Sequence, residues 1–507
     1  MKFVNVLFVV LLYCTHLSAQ VTLPNNLYFT HIGVEDGLCQ NTVCCILQDH
    51  LGFIWLGTKD GLTRYDGYRF RVFKHDAADP MSIGNNFIRV LYEDADGLIW
   101  IGTNVGVYIY NPETENFRKF DVATERGDVI SREVSSIKCD SSGDLWIGVN
   151  WQGVFRYDRR DESLELYEPV PGDTTSLSSV HVWDLCFDGD GNLWVGSQNG
   201  GLDRSDRETD RFVRRRLKGL SDVSRIVLDK QNQLLLGTMK DGLFSFNPYM
   251  GTCQPLLLDS GHKDLFVRAI FVRNSREVVV GTENGIYIYD CVTRKTRHVN
   301  QELGNPYSLS CKAVYSIYCD KEGALWIGTY FGGVNYLPPS SSLIFDKFYP
   351  IGHSDRLSGK AVREFVRDES GIIWIGTEDQ GLNRFDPVSG KFTHYNSRNS
   401  GLSCDNVHGL CVDGDRLYIG TFFGGFNIMD LKTNEIVALG SQMLPDDSVF
   451  SIFRDHDGRI WVGLTYGLCL FHPEDGSFEL VREIPENLFI YDIYQGDDGI
   501  IYFAAYN

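Results

Sequence analysis

Apolar and polar residues alternate in short runs along almost all of this chain, and Gly and Asp break the runs at regular places. Val314-Tyr-Ser-Ile-Tyr-Cys-Asp320 alternates with a period of two, as a strand with one buried face does. Asp320-Lys-Glu-Gly323 reads as a turn, with the carboxylate accepting from turn amides and the glycine taking a positive φ. Leu325-Trp-Ile-Gly-Thr329 is then a second strand, and Tyr330-Phe-Gly-Gly-Val-Asn-Tyr336 a turn leading into a third. A fourth, aromatic-rich strand is expected further on, as in Phe117-Arg-Lys-Phe120 of another copy.

Copies of this unit align on Trp55, Trp100, Trp146, Trp194, Leu235, Val279, Trp326, Trp374, Tyr418, Trp461 and Tyr502, spaced 41 to 48 residues apart. That period, with four short strands in each repeat, predicts an all-β fold, a β-propeller. Asp-x-x-Gly-x-x-Trp is complete in the repeats anchored at 55, 100, 146, 194, 326, 374 and 461. The Gly after the anchor sits in mid-strand, where a neighbouring sheet comes close. The Trp is read as packing between blades. The turns before Leu235 and Val279 drift, to Asp229-Lys-Gln-Asn232 and Arg273-Asn-Ser-Arg276.

A propeller ring closes when a strand from one end completes a blade begun at the other. Leu27-Tyr-Phe-Thr-His31 precedes the first full repeat, and Pro338-Pro339 follows the third strand of the seventh. Two prolines cannot continue a sheet interior. Residues 27–32 are therefore expected to pair with 333–337 and close a seven-bladed ring over residues 20–338. Ser342 to Phe348 then acts as the matching stray strand of an incomplete second ring of four blades over residues 339–507. An open arc exposes sheet edges, so the chain is expected to be the N-terminal portion of something longer.

The leader changes the picture. Lys2, the apolar Val4 to Tyr13 and Leu17-Ser-Ala19 before Gln20 form an export signal over residues 1–19. The formal charge of −20 disfavours nucleic acid as a partner. The arginines between Arg204 and Lys218 are interleaved with acids and read as a solvated edge strand. Cys45, Cys139, Cys186, Cys319 and Cys411 fall in first strands and read as core residues. A pair such as Cys39 with Cys44 or Cys45 stays open. No Cys/His spacing suits zinc, and neither a metal nor a cofactor is expected.

The repeats Ile54 to Asp66, Asp94 to Thr103, Gly328 to Asn335 and Gly376 to Asn383 resemble the two-component regulator propeller, in particular the periplasmic sensors of hybrid two-component systems of gut Bacteroidetes. The resemblance covers residues 27–507. It implies two seven-bladed propellers, then an immunoglobulin-like domain, a membrane helix, a histidine kinase, a receiver and a DNA-binding region. It implies a homodimer in the full-length protein, an oligosaccharide ligand released from glycans, and membrane attachment only through segments beyond residue 507.

Ligands of propellers bind where the loops between second and third strands emerge beside the starts of first strands. Sugars need aromatic faces and planar polar groups. The candidates are Asn150, Trp151, Gln152, Gln198, Asn199, Tyr330, Phe331 and Phe422 in loops, with Arg268, Lys312, Lys360 and Arg363 at strand starts. Trp151 is the most informative, since a loop Trp in solvent is costly unless it stacks. Arg268 and Lys312 favour an acidic sugar, unless they pair with Asp264 and Glu283. A propeller lyase or other carbohydrate-active enzyme is the alternative. A lyase needs clustered His and Glu, whereas His181 and His408 fall in different expected rings. A protein-interaction scaffold is the third reading.

Overall fold

The computed structural model describes residues 22–506 except 25, 207–208, 210, 216, 218–219, 221, 257–264, 340–347, 349–355, 440–442 and 486. The expected leader lies outside the described residues, as does Ser342 to Phe348 apart from Phe348. Eleven antiparallel sheets account for the strands, ten of four strands and one of two. One turn of 3-10 helix, Val34–Asp36, is present, and no α-helix occurs among the described residues. None of their helices is long and apolar enough to cross a membrane. The fold is an all-β propeller. The chain divides into two compact units, Met1–Ile344 and Phe345–Asn507.

In the first unit seven sheets are ordered around an axis. Their first strands are Val43–Gln48, Ile88–Glu93, Val134–Cys139, Val182–Phe187, Val223–Leu228, Val267–Val272 and Val314–Cys319. Each touches the next, and the last touches the first. The seventh sheet takes its outer strand from the start of the chain: Thr30 pairs with Tyr336, His31 with Asn335 and Ile32 with Val334. The second unit holds three four-stranded sheets and the two-stranded sheet Phe489–Gln495 with Ile501–Tyr506.

The turn motif has a specific physical job. In all seven complete copies the indole N–H donates to the carboxylate of the Asp six residues earlier, over 2.7 to 3.0 Å. The other oxygen of the same carboxylate accepts the backbone N–H four residues on, as in Asp94 with Leu98 at 2.9 Å. One side chain thus ties the turn to the core and satisfies a buried donor. The indoles pack across blades, as Trp55 on Tyr110 with ring centroids 5.0 Å apart. The mid-strand glycine is a steric requirement: a Cβ on Gly57 would lie 2.7 Å from Ile88 Cγ2 of the next sheet. The threonine after it, as Thr58, donates to the carbonyl of the glycine that opens the third strand.

The cysteines among the described residues are free thiols, with Cys186, Cys411 and Cys469 buried and the others half-buried. Arg211–Arg215 forms an outer strand. Arg204 lies one strand further in, on Gly201–Asp206, so the expected edge strand does not include it.

Candidate functional site

Each first strand of the first unit carries the same irregularity. Its opening β-branched residue pairs normally, the next residue is skipped, and pairing resumes one further on. These bulges re-aim one side chain per sheet. The skipped residues are Cys44, Arg89, Ser135, Trp183, Ser224, Arg268 and Tyr315. Six of them, with Arg225 in place of Ser224, line a cavity of about 190 Å³. All seven sheets contribute a residue, so the cavity lies on the axis of the ring. Lys59, Phe87, Glu133 and Val134 complete its wall.

The cavity is basic in an acidic chain. Arg89 donates from Nε to Asn104 at 2.7 Å, pairs with Glu133 at 3.1 Å and lies 4.1 Å over the Phe87 ring. Arg268 pairs with Glu283 at 2.6 Å, 3.7 Å over Phe266 and 4.7 Å from the Tyr315 ring. Arg225 donates to the carbonyls of Arg268 and Ser224 at 2.7 and 2.9 Å. Burial and the neighbouring Arg268 and Arg89 pull its pKa down, against the attraction of Asp184. Burial pushes the Cys44 thiol up to about 11 even though Arg89, Lys59, Arg268 and Arg225 all act on it to lower it. The Trp183 indole N–H is buried and has no hydrogen-bond partner. Buried donors are rarely left unmade, so this one marks a place for an acceptor.

The expected contacts divide. Arg268 lines the cavity. Tyr330 stands beside it, with Lys59 4.1 Å over its ring and Tyr315 5.1 Å away. Phe331 packs edge-on to Tyr330 and is 70% exposed. Trp151 is 65% exposed, has φ of 71° and meets His181 edge-on at 4.1 Å. The Asn150 amide oxygen accepts from Nδ1 of that same His181 ring at 3.2 Å. Gln152 is occupied otherwise: its amide oxygen accepts from the backbone of Ser131 and Arg132, and its nitrogen donates to Val129. Gln198 holds the loop by donating its backbone N–H to His181, and Asn199 does so toward Asp222. Lys312 is exposed, and its carbonyl accepts from Gly285. Lys360, Arg363 and Phe422 belong to the second unit. There Arg363 pairs with Glu378, and the backbone of Lys360 donates to Asp379 at 3.1 Å. Phe422 packs at a tilt on Phe423 and edge-on to Phe450.

Strand periodicity missed Arg89, Trp183, Tyr315 and Cys44 as a set. The signal was present: each follows, within two positions, the β-branched residue that opens a first strand. A larger cavity, about 570 Å³, lies in the second unit beside Asp368, Trp374, Arg384 and Lys432. Its Asp368 is already committed to the scaffold, since it accepts from Trp374, Ser370 and Ile372. The axial cavity has the open donor and is the stronger site.

The fold is a β-propeller with a cavity on the axis of its first unit. Residues 37–60, 82–105, 176–199, 308–331 and 443–466 match the two-component regulator propeller family. The chain is similar to the extracellular domain of the hybrid two component system BT3049 from B. thetaiotaomicron, at 23% identity and TM-score 0.65, over 94% of this chain and 76% of that one. It is also similar to that of BT4673 from the same organism, at 20% identity and TM-score 0.54, over 95% and 71%. A 59-residue stretch is 39% identical to histidine kinase P4 of Formosa agariphila, covering 12% of this chain and 4% of that protein.

Proposed function

We propose that this chain is the exported, ligand-sensing part of a hybrid two-component sensor, and that an oligosaccharide enters the axial cavity of the first unit. The open Trp183 N–H in a wall of arginines and aromatic rings carries the reading. Rings can cover the C–H faces of a sugar and the guanidinium groups can bind its oxygens. The repeat family and the two extracellular domains with this fold support a sensor over an enzyme.

In this reading the chain works in the periplasm as a homodimer. Ligand favours one arrangement of the pair, and that preference passes across the membrane to a kinase. Calorimetric titration with a panel of glycan fragments, run beside a turnover assay, tests it. Saturable heat without turnover is expected. Turnover of a bound fragment would make the chain an enzyme, and no heat with any glycan would make it a scaffold.

A further inference from the structure

The axial cavity carries more positive charge than its own partners neutralise. Lys59, Arg89, Arg225 and Arg268 stand on its wall against the single carboxylate of Glu133. Glu283 lies behind Arg268, and Asp184 acts on Arg225 from the neighbouring sheet. Among the described residues neither Lys59 nor Arg225 has an ion-pair partner. For Arg225, whose charge burial disfavours, that is expensive, and an anion from outside relieves the cost.

The cations are also held in place. Asn104, Glu133, Glu283 and two backbone carbonyls fix the three guanidinium groups, while each guanidinium has five N–H donors and uses only some of them here. Cys44, in their midst, stays a neutral thiol at neutral pH because burial holds its pKa at about 11. It supplies no counter-charge. Trp183 adds one more donor, buried and unmade.

We propose that the axial cavity of the first unit takes an anionic group, the carboxylate or sulfate of an acidic saccharide unit, with Arg225, Arg268 and Trp183 donating to it and Lys59 closing the mouth. The saccharide part rests on the sensor reading, and the anion part stands on the cavity alone. Arginine forks suit both oxyanions, and the rings of Phe87 and Tyr315 lie beside the charge, where a sugar face follows its own acid group. Binding weakens with salt, as screened attraction does.

The test titrates the whole chain with three probe sets: uronate- and sulfate-bearing disaccharides, the matched neutral disaccharides, and inorganic sulfate. Acidic disaccharides are expected to bind at least about tenfold more tightly than their neutral partners. Arg225→Met is expected to lower that affinity about tenfold or more. Because Arg225 is buried, Lys59→Gln and Trp183→Phe are measured alongside, each with its fold checked by circular dichroism and each expected to weaken binding about three- to tenfold. Equal affinity for neutral and acidic sugars would overturn the proposal and leave the sensor reading standing, whereas binding untouched by Lys59→Gln and Trp183→Phe would overturn the proposal and also remove the ligand from the axial cavity. Sulfate bound with the same dependence on these residues, but no saccharide bound, would keep the anion pocket and remove the saccharide. No heat with any probe overturns both.

Discussion

The two units share one repeat and differ at one position. In the first, the bulge residues that face the axis include Arg89, Trp183, Arg268 and Tyr315. In the second, the same bulge falls at Arg363, His408, Phe450 and Tyr491. Arg363 is neutralised by Glu378, and the rest form an aromatic cluster. His408 and Phe450 lie 4.2 Å apart, and Phe450 and Tyr491 5.5 Å. The residues that build the blade are common to both units: Asp, Gly, Trp and Thr in fixed places. Chemistry has been left to the residue that the sheet skips. One unit uses it for charge and an open donor, the other for packing.

The largest effect expected is on the shared frame. Trp194 and Trp374 are each almost wholly buried, so Trp194→Ala and Trp374→Ala should each cost about 3–5 kcal/mol. Hydrogen exchange should show the loss in the unit that carries the substitution. Gly57→Ala forces a methyl to within 2.4 Å of Cys45 Sγ and 2.7 Å of Ile88 Cγ2, and should cost about 1–3 kcal/mol in urea unfolding. Equal stability of Gly57→Ala and the parent would remove the close-approach account of that glycine.

A smaller effect separates the units by pH. Burial, then the charge of Arg363, lowers the His408 pKa from 6.5 to about 4, while Glu378 acts weakly the other way. The unfolded chain therefore takes up a proton that the folded chain resists. Stability of the second unit should fall as pH drops from about 6.5 toward 4, and His408→Gln should lose that part of the slope. The smallest effect is expected at Gln198→Ala, within about 0.5 kcal/mol in stability, because the loop there is held by a backbone N–H rather than by the amide.

Much of this was legible in the sequence. The period, the Asp-x-x-Gly-x-x-Trp turn and the mid-strand glycine all follow from short-range physics and appear as expected. The pairing of residues 30–32 with 334–336 was readable too, because Pro338-Pro339 left an outer strand position to fill. The site was only half readable. Arg268 and Tyr330 stand at the cavity, but Gln152 was chosen for a planar amide that the fold spends on the backbone of the loop before the first strand of its sheet. A period of two assigns each residue to one face or the other and gives no place to a residue that the ladder skips. Arg89, Trp183 and Tyr315 therefore looked like ordinary strand positions until the register was known. The indole–carboxylate bond was hidden for a related reason: six residues apart in sequence says nothing of contact until the turn between them is built.

The central claim is that ligand is held by the first unit, at its axis. Hydrogen exchange with and without any glycan fragment that gives heat tests it most directly. Added protection is predicted at the starts of the seven first strands, around Cys44, Arg89, Ser135, Trp183, Arg225, Arg268 and Tyr315, with none at Arg363, His408 or Phe450. Protection confined to those second-unit residues, with the axial residues unchanged, would contradict it.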